Sequence, residues 1–259
     1  MKKQVTRYPV FLVHGLNCRD DRPFEYFGRI PSYLEGQGVR VYLGGQDAAG
    51  SIEGNAGQLE KRLQEIRERE GGRKVNIIAH SKGGLEARYL ISTLGRASWA
   101  ASLTTLCTPH YGSRTAKYWC SKKGFMRLYG CGADRFWKAL GDKAPDSGKA
   151  LRQLTPAYLK SFNEKNPDSP LVYYQSYGAR LASSGEDPLM LLFRKLVLLQ
   201  DGENDGLVSP DRTHWGVYRG TVENISHLDL VDSRKRDAGG FCMTKFYSRL
   251  VQDLAERGF

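Results

Sequence analysis

The chain has 259 residues, of which 40% are hydrophobic, so it is long enough for one large α/β domain with a substantial core. Its composition excludes a disordered chain, and it contains no repeat or low-complexity segment. The net charge of +11 admits nucleic acid, an anionic membrane surface or an anionic substrate as a partner, and it is also common where only solubility is needed.

The sequence predicts no membrane span and leaves the cellular compartment open. The apolar run at 10–13 is too short for the core of a signal peptide and is interpreted as a strand. A second apolar run, 188–193, is ended by two cations, so it cannot cross a bilayer. We expect a cytoplasmic protein or a mature secreted form whose leader was removed. Five cysteines leave at least one free thiol, and reduced cysteines are favoured over a bridge between Cys120 and Cys131.

Predicted strands and helices alternate along most of the chain. The strands are expected at 8–13, 39–43, 74–79, 102–107 and 171–177, with a last strand at either 213–218 or 220–223. The helices are expected at 24–36, 53–70, 83–94, 151–163 and 244–257, and the apolar stretch 188–199 is either a helix or part of a cap. This alternation predicts an α/β fold, with a mostly parallel central sheet flanked by helices in a single domain over 1–259.

The stretch 114–145 interrupts the alternation and is rich in aromatic and basic residues. It contains eight Lys or Arg against two Asp, so its net charge of +6 is more than half of the total. Aromatic rings interleaved with cations suit a mobile cap that rests on a lipid–water interface. A plain helical insertion has nearly the same weight, whereas nucleic-acid binding is disfavoured. We therefore predict a helical lid or cap insertion at about 114–150.

The stretch 75–84 predicts a strand, a sharp turn at Ser81 and then a helix. Small residues, Ala79 and Gly83, stand two positions to either side of the serine because such a helix crosses back over the strand at close range. This spacing matches the Gly-x-Ser-x-Gly elbow of α/β-hydrolases, with alanine in place of the first glycine. The five-residue pattern alone has low specificity, but the flanking strand and helix strengthen it. Ser81 is therefore the candidate nucleophile.

Ser81, Asp205 and His227 each follow a predicted strand, in the order of nucleophile, acid and base that α/β-hydrolases use. Catalytic groups of a parallel sheet collect at the carboxyl ends of its strands. A serine hydroxyl is a weak nucleophile near neutral pH and needs a base. We expect His227 to take its proton, and Asp205 to hold the imidazole in the required tautomer.

Other residues of the same types are weaker candidates for these roles. They are His14, His80, His110, His214 and Asp201. The first two adjoin the oxyanion loop and the serine, and we expect them to have positioning or packing roles. The next two are expected to be structural or surface groups. Asp205 is preferred over Asp201 because Gly206 follows it in a predicted tight turn.

The first predicted strand ends in a candidate oxyanion loop at His14-Gly15-Leu16. In α/β-hydrolases the loop after this strand supplies one backbone N–H to the oxyanion hole, and the residue after the nucleophile supplies the other. Gly15 allows close approach of the substrate, so the N–H groups of Leu16 and Lys82 are the expected donors. This chemistry requires only the backbone of Lys82.

Several blocks of the sequence resemble the bacterial triacylglycerol lipases of the Pseudomonas and Burkholderia type. The similar blocks are the oxyanion strand and loop at 8–16, the elbow at 74–84, the segment 108–113, the acid turn at 204–208 and the histidine turn at 227–229. They occur in the expected order over nearly the whole chain. The resemblance implies ester hydrolysis by the three residues named above, under a helical lid. The segment between Ser113 and Leu151 does not align, so lid behaviour and chain-length preference are not inherited.

The same resemblance raises a structural calcium site, with a surface or supporting carboxylate as the alternative role for Asp229, whereas a serine ester hydrolase needs no organic cofactor. Asp229 holds the place of a ligand two positions after the catalytic histidine, and Asp187 is the nearest match for a ligand before the catalytic acid. Carboxylates are suitable hard ligands for Ca²⁺. However, Ser233 stands where these lipases have a glutamine ligand, and their paired cysteines have no counterpart.

These observations predict a serine carboxylic-ester hydrolase, a lipase or esterase acting on a lipid or a small ester, with transient contact to a lipid–water interface. An acyltransferase or thioesterase with the same three residues is the nearest alternative, because an acyl-enzyme can be captured by other acceptors. A non-catalytic membrane-binding protein on the same scaffold is the alternative from another class, motivated by the charge of +11.

Overall fold

A computed structural model describes residues 6–21, 23–181 and 188–259 of the chain. Its centre is a six-stranded sheet in which all neighbouring strands run parallel, in the order β2-β1-β3-β4-β5-β6. The strands are β1 (Val10–Val13), β2 (Val41–Leu43), β3 (Val75–His80), β4 (Ala100–Leu106), β5 (Tyr173–Arg180) and β6 (Val217–Glu223). The predicted mostly parallel sheet is therefore confirmed.

Nine α-helices occur within the described residues. They are α1 (Ile30–Glu35), α2 (Ile52–Arg69), α3 (Lys82–Ile91), α4 (Arg114–Ser121), α5 (Lys123–Ala139), α6 (Ser147–Arg152), α7 (Pro156–Lys165), α8 (Pro188–Asp201) and α9 (Met243–Glu256). None of the helices described is both long and apolar enough to cross a membrane.

The side chains of β1 point alternately into two hydrophobic cores, one on each face of the sheet. Val10 and Leu12 pack with α1 and α9, whereas Phe11 and Val13 pack with α2 and α3. All four residues are fully buried, as expected for a parallel strand with helices on both faces. This three-layer arrangement holds β3, which leads to Ser81, at the centre of the sheet.

The structure differs from the predicted helices in two places. Helix 24–36 is reduced to α1, because Pro31 lies in the first turn and the preceding residues form turns with positive φ at Glu25 and Gly28. The helix predicted at 151–163 is divided into two helices, α6 and α7, because Pro156 starts a new helix directly after Thr155. The last strand, β6, includes parts of both predicted alternatives.

The stretch predicted as an insertion, 114–150, is helical and lies between β4 and β5 in the chain. Its end is fixed to the loop after β2 by Asp142, which accepts hydrogen bonds from the amides of Ala48 and Ala49 and from Arg19. Trp137 packs against the same two alanines. The first helix of the stretch, α4, packs against α8. The division into a core domain and a cap remains a prediction.

Candidate active site

Ser81 forms the turn between β3 and α3 in a strained backbone conformation. Its φ of 53° and ψ of −131° are rare for a residue with a side chain and cost about 1–3 kcal/mol. Three hydrogen bonds hold the turn: its amide donates to the carbonyl of Leu106 at 2.9 Å, and its carbonyl accepts from Thr108 Oγ1 at 2.8 Å and Gly84 N at 3.1 Å. The end of β4, the loop after it and the first turn of α3 thus hold the conformation of the predicted elbow.

The glycines around Ser81 are required by close backbone contacts. A Cβ atom at Gly83 would lie 2.3 Å from the carbonyl oxygen of His14, and one at Gly15 would lie 2.9 Å from Cβ of Ser81. At Gly84 it would lie 2.2 Å from Oγ1 of Thr108. These distances are far below van der Waals contact, so the elbow can approach the loops after β1 and β4 this closely only with glycine at these positions.

Asp205 and His227, which are 22 positions apart in the sequence, form a hydrogen-bonded pair. His227 Nδ1 lies 2.7 Å from Asp205 Oδ2, and the amide of His227 also donates to the carbonyl of Asp205 at 2.8 Å. The other carboxylate oxygen, Oδ1, accepts from the amides of Leu207 and Val208. Because a carboxylate only accepts, Nδ1 of the imidazole carries the proton and Nε2 is left as the basic nitrogen.

The predicted tight turn at Gly206 is present. Gly206 has a φ of 109°, and its amide donates to the side chain of Asn204 at 2.8 Å. The amide of Leu181, just after β5, donates to the carbonyl of Asn204 at 2.9 Å. The turn therefore fixes Asp205 beyond the carboxyl end of β5.

His80 links the serine turn to the histidine turn. Its ring centroid lies 4.4 Å from that of His227, and its Nδ1 lies 2.6 Å from the hydroxyl of Tyr26. Burial lowers the pKa of His80 well below its ordinary value, and the neighbouring His227 lowers it further, so His80 stays neutral. Since Ser81 directly follows His80, this ring contact places the candidate nucleophile and base at the same end of the sheet.

Tyr26 and Cys107 are neighbours of this site that the sequence reasoning missed. Cys107 follows β4 with a φ of 48°, and potential ligand atoms of His80, Cys107 and His227 lie within 4.8 Å of one another. Burial, followed by the charge of Asp205, raises the pKa of the Cys107 thiol well above its ordinary value. A protonated thiol therefore fills the space beside the carboxylate. The position of Cys107 at a strand end was the one available signal.

The alternative histidines occupy other environments. Both ring nitrogens of His14 lie beside backbone carbonyls, at 2.8 Å from Gly15 O and 3.0 Å from Gln46 O, so neither can serve as a base. His110 is buried and stacks on Trp215. His214 is exposed and contacts Tyr218.

Asp201, the alternative acid, has partners other than His227. Its carboxylate accepts from the amide of Arg114 at 2.8 Å and pairs with the guanidinium of Arg212 at 3.1 Å. These bonds tie the end of α8 to the start of α4. Asp201 therefore has a structural role at the junction of these two helices.

The two expected oxyanion donors, the amides of Leu16 and Lys82, lie in the loop after β1 and at the start of α3. Lys82 is the first residue of α3, where a backbone N–H has no carbonyl acceptor within its own helix. Leu16 is half-buried, and it follows the two residues, His14 and Gly15, that contact Gly83 and Ser81. Both amides thus belong to backbone that is held tightly against the serine.

Of the two expected calcium ligands, Asp229 lies within the described residues, and its carboxylate already has protein partners. Asp229 is buried, its Oδ2 accepts from Ser226 Oγ at 2.8 Å, and its Oδ1 lies 3.6 Å from the guanidinium of Arg234. A cation therefore already stands beside this carboxylate. Asp187 lies outside the described residues, and among those described no cluster of three potential metal ligands includes Asp229.

Known proteins with a similar sequence are ester hydrolases. A protein named triacylglycerol lipase 2 from Saccharomyces cerevisiae is 32% identical and covers 91% of this chain and 74% of its own length. A triacylglycerol lipase from Pseudomonas fragi is 29% identical and covers 89% of this chain and 90% of its own length. The predicted likeness to bacterial triacylglycerol lipases is confirmed.

The same fold is found in solved lipase structures. The Staphylococcus hyicus lipase superposes with a TM-score of 0.79 at 17% identity, over 99% of this chain and 97% of its own. The parallel sheet and these relatives together define an ester hydrolase of the lipase and esterase class, with the α/β-hydrolase fold.

The family is also defined at the level of the sequence. A family model described as palmitoyl protein thioesterase matches residues 9–238. The chain belongs to this family. The match includes Ser81, Asp205 and His227, together with the whole of the predicted cap.

Proposed function

We propose that the protein hydrolyses carboxylic esters through an acyl intermediate on Ser81, with His227 as the base and Asp205 as its partner. The observation that carries this proposal is the Asp205–His227 hydrogen bond beside the strained Ser81 turn. His227 accepts the hydroxyl proton at Nε2 while Ser81 Oγ attacks the ester carbonyl, and it returns that proton to the leaving alcohol. Water then takes the place of the alcohol, with His227 again as base, and releases the acid.

The amides of Leu16 and Lys82 bind the oxyanion that forms at each attack. One such donor contributes about 3 kcal/mol to the lowering of the barrier. The amides of Leu207 and Val208 donate to the Asp205 carboxylate and hold it in place beside His227. The carboxylate stabilises the imidazolium of His227 without accepting a proton.

The substrate class that we propose is a lipid ester, such as an acylglycerol, presented at a lipid–water interface. Two observations support it. Relatives of this chain are named triacylglycerol lipases. In addition, the helices of the cap and α8 expose large apolar side chains, of which Leu128 is 77% and Leu199 is 81% exposed. Such side chains are stabilised when a lipid surface removes them from water.

A thioester is the second candidate substrate, because the matching family model is described as palmitoyl protein thioesterase. Thioester cleavage follows the same steps, with a thiol as the leaving group. The same acyl-enzyme would form, so the residues do not distinguish the two substrates. The comparison must therefore be made with matched acyl chains.

The test measures hydrolysis of p-nitrophenyl esters across acyl lengths, of emulsified triglyceride and of an acyl-thioester, by wild type and Ser81→Ala. We expect the wild type to hydrolyse the esters, to prefer the emulsion over the same lipid below its solubility limit, and to lose activity in the variant. Activity that persists in Ser81→Ala would overturn the nucleophile. A higher kcat/KM for the thioester than for the matched ester would overturn the lipid ester as the proposed substrate class in favour of a thioester.

A further inference from the structure

The side chain of Lys82, whose amide is an expected oxyanion donor, is fully buried. Its ammonium donates to the carbonyl of Gly50 at 2.7 Å and to the carboxylate of Glu86, one turn later in α3. Glu86 is 1% exposed. Lysine and glutamate are rarely buried. Replacing a buried ion pair by well-packed apolar residues of the same volume often leaves the folded protein as stable or more stable. The pair therefore requires a reason beyond packing.

The second carboxylate oxygen of Glu86 connects, through Gln46, to the loop after β1 that carries the other expected oxyanion donor. Oε2 accepts from Nε2 of Gln46 at 3.1 Å, and the same nitrogen donates to the carbonyl of His14 at 3.0 Å. The backbone carbonyl of Gln46 in turn faces the ring of His14 at 3.0 Å. An unbroken chain of buried hydrogen bonds thus joins Lys82 to the residue two positions before Leu16.

We propose that Lys82, Glu86 and Gln46 form an oxyanion clamp, which fixes the spacing between the Leu16 and Lys82 amides. This inference rests on the proposed function, since it assigns a role in the same oxyanion hole. The clamp residues are positioning residues, because their side chains act through the backbone and do not touch the reacting atoms. An oxyanion hole lowers the barrier only when its donors are already placed where charge develops, so a looser clamp weakens binding of the transition state more than binding of the ester.

The surroundings of the clamp support a role in spacing. Asn55 donates to Glu86 Oε1 at 2.9 Å and to the carbonyl of Asp47 at 2.8 Å, which fixes the carboxylate from α2. A Cβ atom at Gly50 would lie 1.9 Å from Oδ1 of Asn55, so the loop after β2 closes tightly over the ion pair. The carboxylate of Glu86 is therefore held from α2 as well, and a shift of α3 relative to β1 would break the bonds of the clamp.

The test uses Gln46→Met, which removes the bridge to His14 and leaves Lys82, Glu86 and the three proposed catalytic residues in place. Gln175→Met is the matched control, because Gln175 is also a buried glutamine, with its amide on Thr104 Oγ1 at 2.9 Å in the sheet. For a soluble p-nitrophenyl ester we expect Gln46→Met to lower kcat about tenfold with KM within twofold. We also expect a similar rise in the inhibition constant of a boronic acid that forms a tetrahedral adduct. The control should change neither.

A second variant keeps the proposal testable if single changes in the ion pair prevent folding. The pair Lys82→Met with Glu86→Leu removes both charges together, which is far less disruptive than leaving one unpaired. We expect this protein to fold with a melting temperature near that of wild type and to show the lowered kcat.

The outcomes separate the clamp from the proposed function. Wild-type kcat in both Gln46→Met and the double variant would overturn the clamp while leaving the proposed function intact. Equal losses in Gln46→Met and Gln175→Met would reduce the effect to general stability and would also overturn it. A wild type that is inactive on every ester would overturn the proposed function itself, and the clamp with it.

Discussion

The helix that follows Ser81, α3, and the long helix of the predicted cap, α5, differ sharply in how much of each is buried. In α3, all of which is described, nine of ten residues are buried, including Lys82, Glu86 and Arg88. In α5, which is also described throughout, Trp137 alone of 17 residues is buried. The first helix is thus held on every side, whereas the second is fixed mainly near its C-terminal end, by Trp137 and by Asp142 just beyond it.

Under the proposed function, this difference corresponds to two separate requirements of the site. Stabilising an oxyanion requires groups that do not reorganise during the reaction, which burial and hydrogen bonds provide. Accepting acyl chains from a lipid surface requires apolar side chains that exchange water for lipid, which a firmly packed helix cannot offer. Changes in the buried helix and its neighbours should therefore alter kcat, and changes in the cap should alter the dependence on the lipid surface.

The largest effect is expected for Asp205→Asn, which tests the buried, hydrogen-bonded part of the site. An amide can donate to Nδ1 of His227, which favours the tautomer that lacks a basic Nε2. We expect kcat to fall by about 10³–10⁴ with little change in KM. Steady-state kinetics on a soluble ester measure both constants. A loss of less than tenfold would remove Asp205 from the catalytic assignment.

An intermediate effect is expected for the double variant Leu128→Ser with Leu199→Ser, which tests the cap. Each leucine contributes about 1.5–3 kcal/mol when a lipid surface covers it completely. Partial cover of both predicts a fall of about tenfold in activity on emulsified triglyceride, with unchanged kcat/KM on a dissolved ester. Leu171→Ser is the control, because Leu171 is exposed but lies outside the cap and α8. Parallel losses on both substrates would contradict the interfacial role.

The smallest effect is expected from removal of metal ions. Arg234 stands beside Asp229, and Ser226 occupies its other oxygen, so we expect a chelator to leave the melting temperature and the activity unchanged. A melting curve with and without chelator, followed by addition of calcium, makes this measurement. A fall in melting temperature that calcium restores would instead support the site implied by the lipase resemblance.

The sequence predicted the fold well because its apolar strands and strand-end turns are local signals. Ser81 and His227 could be selected because each closely follows a predicted strand, and Asp205 because Gly206 follows it in a predicted tight turn. The helix at 151–163 was wrong in detail because Pro156 started a helix where a continuous one was expected. A proline breaks a helix when interior and begins one when in the first turn, and composition alone does not decide between them.

The oxyanion clamp could not be predicted from the sequence. Lys82 and Glu86 have the spacing of an exposed helical ion pair, which is the usual reading of such residues. Their burial depends on Gln46 and Gly50, which are more than 30 positions earlier in the chain. Only the folded chain brings the loop after β2 over the start of α3. Cys107 and Tyr26 were also missed, because neither lies in a recognised sequence motif.

The most direct test of the central claim is covalent labelling of the serine. The protein is incubated with an alkyl p-nitrophenyl phosphonate, digested, and examined by peptide mass spectrometry while ester hydrolysis is followed in parallel. We expect one adduct, on Ser81, to accumulate in proportion to the loss of activity, with no adduct and no activity in Ser81→Ala. Loss of activity with the adduct on another residue, or complete labelling of Ser81 with activity retained, would contradict the assignment of Ser81 as the nucleophile.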